Sequence, residues 1–182
     1  NHVTTMGTER LRFRPDIEGL RAVAILLVVA AHAGVPWLAG GFIGVDVFFV
    51  LSGYLITRLL ADELTRTGSL QFARFYARRF RRLLPALLLM LCVTALLGAQ
   101  LAPVSQQGWQ ADAAAAAALW SSNLLFAFSR LDYFGNDASG NLFLHTWSLG
   151  VEEQFYLAWP LLLVVGYGAW RKSAPPSRLN LI

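Results

Sequence analysis

The chain has 182 residues, 56% hydrophobic and 14% charged, where soluble domains average about 45–50% and about 25%. That balance excludes a disordered chain and argues against a single soluble domain, because the apolar residues come in blocks. The formal charge of +4 sits on fourteen arginines and one lysine grouped at the block ends, the positive-inside pattern of a membrane protein and not a nucleic-acid footprint.

Residues 1–12 read as a disordered lead, and the five positions before Met6 look like the remnant of an upstream frame. Four blocks then reach the ~20 mainly apolar residues that a hydrocarbon core of about 30 Å requires: 20–38, 42–60, 83–101 and 142–169. Between the last two, the alanine-rich stretch 111–129 is broken by Ser121, Ser122 and Asn123. It is expected to re-enter or lie at the interface, with a full fifth span as the alternative. Residues 174–182 read as a loop or truncated tail. The first block is expected to be a retained span, since Arg21 and His32 are foreign to an ordinary signal core. The single cysteine, Cys92, carries no disulfide and no metal signal.

Charge placement orients these spans. Arg10, Arg12 and Arg14 precede the first block; Arg58 lies at the end of the second, and Arg66, Arg74, Arg78, Arg79, Arg81 and Arg82 follow it. Both flanks are expected on the cytoplasmic side, with the uncharged turn at 39–41 and the loop 102–111 outside. If 111–129 returns to the side it came from, Arg171, Lys172 and Arg178 also fall inside.

Ionisable groups within spans are costly, and each is a candidate for function. Arg21 and His32 are eleven residues apart, about 20° past three turns, so one helix would carry both on one face about 16 Å apart. The plain alternative is that Arg21 snorkels to headgroups and His32 makes only a local contact. Asp46 lies just past the tight turn, at a similar depth to His32, where a carboxylate can fix a histidine's tautomer. Ser52 and Gly53 suit close helix packing. Further on, His145, Ser148, Glu152 and Tyr156 recur at i, i+3, i+7 and i+11 as one polar stripe, with Glu153 about 100° away from it.

The arginine run divides by helical phase. From 71 to 83, Phe72, Phe75, Tyr76, Phe80 and Leu83 share a face, with Arg74, Arg78 and Arg81 opposite. Arg79 falls on the aromatic face and Arg82 on its flank, so both are expected inward, as an i, i+3 pair suited to phosphate.

These segments resemble the membrane acyltransferase 3 family, the peptidoglycan and lipopolysaccharide O-acetylases of bacteria. The likeness rests on four ordered stretches: Phe13 to Arg21 leading to His32, Gly44 to Tyr54, the arginine run ending at Pro85, and His145 to Tyr156. The resemblance implies transfer of an acyl group, usually acetyl, from cytoplasmic acyl-CoA (acetyl-CoA as donor substrate, with no bound cofactor) to a carbohydrate hydroxyl beyond the membrane. It implies His32 as the catalytic histidine of an Arg-x10-His pattern with Arg21. It further implies an acyl-CoA link for the Arg-x-x-Arg pair Arg79 and Arg82, and Trp147, Ser148, Leu149 and Glu152 as a Trp-Ser-Leu-x-x-Glu motif. The family's membrane domain has roughly ten helices, whereas this chain supplies about four by span length.

The expectation is therefore an all-α polytopic integral membrane helix bundle, residues 13–173 being the N-terminal portion of an acyltransferase domain. It would sit in the bacterial inner membrane with a cytoplasmic N-terminus. His32, Asp46 and Glu152 are the expected catalytic residues, His32 acting as general base or transient acyl carrier. Arg21, Arg79 and Arg82 are the expected CoA ligands. Partners would be acyl-CoA, a surface carbohydrate, the lipid bilayer, and a missing C-terminal half or extracytoplasmic acyl-accepting domain. Two rivals stand beside it: a proton-coupled transporter or export subunit using the same buried groups as a relay, and an inactive fragment of the acyltransferase.

Overall fold

A computed structural model describes residues 14–129 and 140–173, and every regular element among these is helical. The expected lead, 1–12, and tail, 174–182, lie outside the described residues. The chain divides into two compact units, Asn1–Glu63 and Leu64–Ile182.

In the first unit, helix α1 (Pro15–His32) opens with Pro at its first position and Asp16 and Glu18 in the first turn, all favourable at a helix N-terminus. It ends six residues before the expected end of the first block. Gly34 takes φ +67°, its N–H bonds Ala31 O, and the Val35 N–H bonds Ala30 O. That is a Schellman cap, with Pro36 just beyond to prevent resumption. A short 3-10 turn (Ala39–Phe42) leads to α2 (Ile43–Thr67), which runs past the unit boundary. A Cβ on Gly41 or Gly44 would collide with the carbonyl oxygens of Leu27 and Ala24. The two glycines let α2 start against the α1 backbone.

In the second unit, α3 (Phe72–Leu101) is one unbroken helix of 30 residues, about 45 Å long. The amphipathic arginine stretch and the third apolar block are thus a single element, with Pro85 tolerated inside it. The alanine-rich segment folds as two short helices, α4 (Val104–Ala118) and α5 (Ser122–Phe128), and not as one span. Trp120 at φ +53° turns the chain between them, and the Trp120 and Ser121 N–H groups bond back to Ala117 O and Ala116 O. A second 3-10 turn (Leu144–Thr146) precedes α6 (Trp147–Ser173).

The core of this unit joins Leu87 and Leu91 of α3, Ala113 and Ala117 of α4, Phe126 of α5, and Phe143. The alanine run thereby acquires a purpose, since small side chains allow α4 to lie close on α3. Polar pins hold the ends. Gln110 donates to Gly140 O and accepts from the Leu142 N–H, while Ser122 Oγ donates to Thr146 O.

Residues Ala39–Thr67 and Phe72–Leu101 are long and apolar enough to cross a membrane. The other two expected spans differ. α1 is 18 residues long and carries Asp16, Glu18 and Arg21, and α6 has Glu152 and Glu153 in its first half.

Candidate functional site

In the first unit, His32 is the last residue of α1 and is exposed. Its Nδ1 lies 2.8 Å from Val28 O. A carbonyl can only accept, so Nδ1 carries the proton and the neutral ring keeps its lone pair on Nε2. The ring meets the edge of Phe42 at 5.1 Å between centroids. Asp46, in the first turn of α2, is exposed, and no hydrogen bond or ion pair joins it to His32 among the described residues. The tautomer-fixing partner that sequence reasoning sought in Asp46 is a backbone carbonyl one turn back.

Because α1 is continuous from Arg21 to His32, the two share a stripe, as their spacing predicts. Arg21 Nη1 donates to Glu18 Oε1 at 3.2 Å, and its guanidinium lies 5.1 Å from the Phe48 ring centroid. Its Nε is buried with no partner. At the helix start, Arg14 donates to both Asp16 oxygens. Those bonds hold the Asp16 carboxyl at about 2, below the usual carboxylate range, and push Arg14 upward.

In the second unit, α3 and α6 meet around Arg79. As its helical phase predicts, Arg79 turns inward. Its Nε donates to Glu153 Oε2 at 2.9 Å and its Nη2 to Glu153 Oε1 at 2.5 Å. The guanidinium lies over the Tyr156 ring, 3.2 Å from Cζ to the centroid. Tyr156 Oη in turn donates to Glu152 Oε1 at 2.7 Å, the i, i+4 contact implied by the polar stripe. Tyr76 Oη donates to Leu157 O, and Phe80 stacks between Tyr76 and Trp120. A cleft of about 130 Å³ opens among Tyr76, Arg79, Phe80, Trp120, Glu153 and Tyr156.

Two sequence expectations need correction here. Arg82 is exposed and does not turn inward. It lies about 60° round the helix from Arg79, on the side away from Phe80, which stacks on Trp120. His145 is not in helical register with Glu152, since it belongs to the 3-10 turn before α6. That turn is held by Thr146 Oγ1 donating to Phe143 O at 2.7 Å. Glu153 is the residue that sequence reasoning passed over. The signal was available, because an arginine turned inward requires a carboxylate and Glu153 is the buried one of the pair.

The start of α6 is positioned by Gln154, whose Nε2 donates to Trp120 O and to Asn123 Oδ1, while Asn123 Nδ2 donates to Gln154 Oε1. A Cβ on Gly150 would stand 2.7 Å from Asn123 Oδ1 and 3.2 Å from Trp120 O, so this approach depends on the glycine.

Sequence comparison places the chain among known proteins. It is 43% identical over 154 residues to the peptidoglycan O-acetyltransferase OatA of Listeria monocytogenes, covering 85% of this chain and 25% of that protein. It is 42% identical over 152 residues to the O-acetyltransferase OatA of Staphylococcus aureus, covering 84% of this chain and 25% of that protein. The chain thus spans about a quarter of the length of the curated relatives it matches. No solved structure matches it. Residues 14–175 match the acyltransferase domain described as acyltransferase 3, a stretch that contains every residue of the two clusters above, and the chain belongs to that family.

Proposed function

We propose that the chain is the N-terminal part of a membrane-bound O-acyltransferase. It moves an acetyl group from cytoplasmic acetyl-CoA to a hydroxyl of a cell-wall carbohydrate; the transfer and the acceptor are those of the Listeria peptidoglycan O-acetyltransferase, and the Staphylococcus relative is likewise an O-acetyltransferase. The protein lies in the bacterial inner membrane with its N-terminus cytoplasmic, by the placement of its arginines. In this reading α1 and α6 cross the bilayer together with α2 and α3, and the remaining helices of the domain belong to the rest of the protein.

The observation that carries the reading is the Nδ1–H bond from His32 to Val28 O, which leaves Nε2 of an exposed imidazole as a base. His32 Nε2 takes the proton of the acceptor hydroxyl as its oxygen attacks the thioester carbonyl. The C–S bond then breaks, and the departing thiolate recovers that proton from the imidazolium. Within the first unit Asp46 is the carboxylate assigned to the catalytic set, and within the second it is Glu152, whose Oε2 has no partner among the described residues, as a group able to carry a proton. For the donor phosphates, Arg21 offers its unpartnered buried Nε and Arg82 its exposed guanidinium, each within its own unit.

The test is release of ester-linked acetate from the cell wall of bacteria that depend on the complete protein. His32→Ala is expected to lower it by about 10²-fold or more, the scale of a lost general base. Full acetylation by that variant, at matched membrane levels, would overturn the assignment.

A further inference from the structure

We propose that Tyr156 is a positioning residue for Glu152, and that the Arg79–Glu153 ion pair anchors it. The proposal rests on the reading of Glu152 as a working carboxylate. Glu152 and Glu153 are neighbours in sequence but have different duties. Glu153, with a side chain 3% exposed, is taken up on both oxygens by Arg79, so its charge is paired and each oxygen already accepts a hydrogen bond. Glu152 is only half buried and takes one hydrogen bond, from Tyr156 Oη.

Tyr156 itself is buried, and its ring is held by the guanidinium above it. A planar cation fixed by a bidentate carboxylate offers an aromatic ring one flat seat. The phenol oxygen then has a defined position one helical turn from the Glu152 carboxylate. The sequence of contacts runs Glu153, Arg79, Tyr156, Glu152, and it ends on a carboxylate with one oxygen open. Arg79 therefore serves the site from behind and is not one of the donor's phosphate ligands. A contiguous hydrogen-bonded and stacked chain of this kind fixes a side chain more firmly than its members do singly.

The experiment measures steady-state acetyl transfer by the full-length protein in detergent or liposomes, with acetyl-CoA and a peptidoglycan-derived acceptor. Tyr156→Phe keeps the ring and its seat on Arg79 but removes the hydroxyl. It is expected to lower kcat about tenfold, the loss of one hydrogen bond to a charged group, with KM for acetyl-CoA and the melting temperature unchanged. Arg79→Lys, which keeps the charge without the planar fork, is expected to lower kcat in the same way. Wild-type kcat in Tyr156→Phe beside a dead Glu152→Gln variant overturns the positioning role and leaves the acyltransferase reading intact. A rise in KM for acetyl-CoA with unchanged kcat in Arg79→Lys makes Arg79 a donor contact and also overturns it. Full activity of Glu152→Gln removes the carboxylate's role itself, a failure of the underlying reading and distinct from the other two.

Discussion

Arg79 binds both oxygens of Glu153, at 2.9 and 2.5 Å, and leaves the adjacent Glu152 to Tyr156. One helical step of about 100° is enough to divide two consecutive carboxylates between a packed interface and a half-exposed face. The pair joins positions 74 residues apart in sequence, with side-chain exposures of 18% and 3%. Taking two such ions out of water carries a desolvation cost that only close bidentate geometry offsets. The bond is therefore a weak source of net stability but a strong determinant of how α3 and α6 register on each other.

Glu153→Gln should accordingly be far worse than replacement of both partners. Removing one charge strands a guanidinium at a site built for a pair, and such losses run to about 3–5 kcal/mol. The double variant Arg79→Met/Glu153→Leu should recover most of that, because no uncompensated charge remains. Thermal unfolding of the wild type and the two variants, purified in detergent, checks the expectation. A single variant as stable as wild type would mean that the guanidinium finds another acceptor.

Gly150 provides a steric test of the same interface. Its missing Cβ is what admits the Asn123 amide and the Trp120 carbonyl, so Gly150→Ala should destabilise by about 1–3 kcal/mol through overpacking. Gly166, also in α6, has nothing within 4 Å of an added Cβ. There alanine should be neutral or stabilising by up to about 1 kcal/mol, its helix-propensity advantage. Melting temperatures of the two variants should move in opposite directions, or only the first should move. Equal shifts would refute the close-approach argument.

How much of this was legible in the sequence follows from which physical signal each element carries. Helical phase placed Arg79 on the inner face and paired Tyr156 with Glu152, because both statements need only a regular helix. The same phase failed for Arg82, since a wheel does not say on which flank the neighbouring helices will pack. Hydropathy located the second and third blocks but overran the first, whose end is set by Gly34 and Pro36, residues that a hydropathy average counts as nearly neutral. The 3-10 turn at His145 was hidden for a related reason: it is imposed by Thr146, Phe143 and Ser122, contacts that exist only after folding. Proximity of His32 to Asp46 was a guess about tertiary contact, and the Val28 carbonyl, always one turn away, supplied the hydrogen bond instead.

The Arg14–Asp16 pair predicts a small and specific pH effect. Asp16 titrates at about 2, below the ~3.9 of an unfolded aspartate, because Arg14 donates to its oxygens. A depressed folded value means that whatever the pair contributes is present above about pH 4 and is lost as pH falls through about 2. Both groups are exposed, so the contribution to global stability is expected to be slight. The carboxyl carbon shift of Asp16, followed by NMR in wild type and Arg14→Ala, should show the midpoint returning toward the ordinary value in the variant. An identical midpoint in both would show that the helix N-terminus, and not Arg14, holds it down.

The tautomer of His32 can be read directly. Free imidazoles prefer the proton on Nε2, and the Val28 carbonyl at 2.8 Å from Nδ1 reverses that preference by offering an acceptor only to Nδ1–H. In 15N-labelled protein above the imidazole's titration range, Nδ1 should therefore show the shift of a protonated nitrogen and Nε2 that of a bare one. The pattern should persist in Asp46→Asn, because Asp46 makes no hydrogen bond to the ring. A bare Nδ1 would remove the lone pair from Nε2, the nitrogen that faces away from its own helix. His32 could then not take a proton from an acceptor hydroxyl at that atom, and the general-base assignment would fail on structural grounds, before any activity was measured.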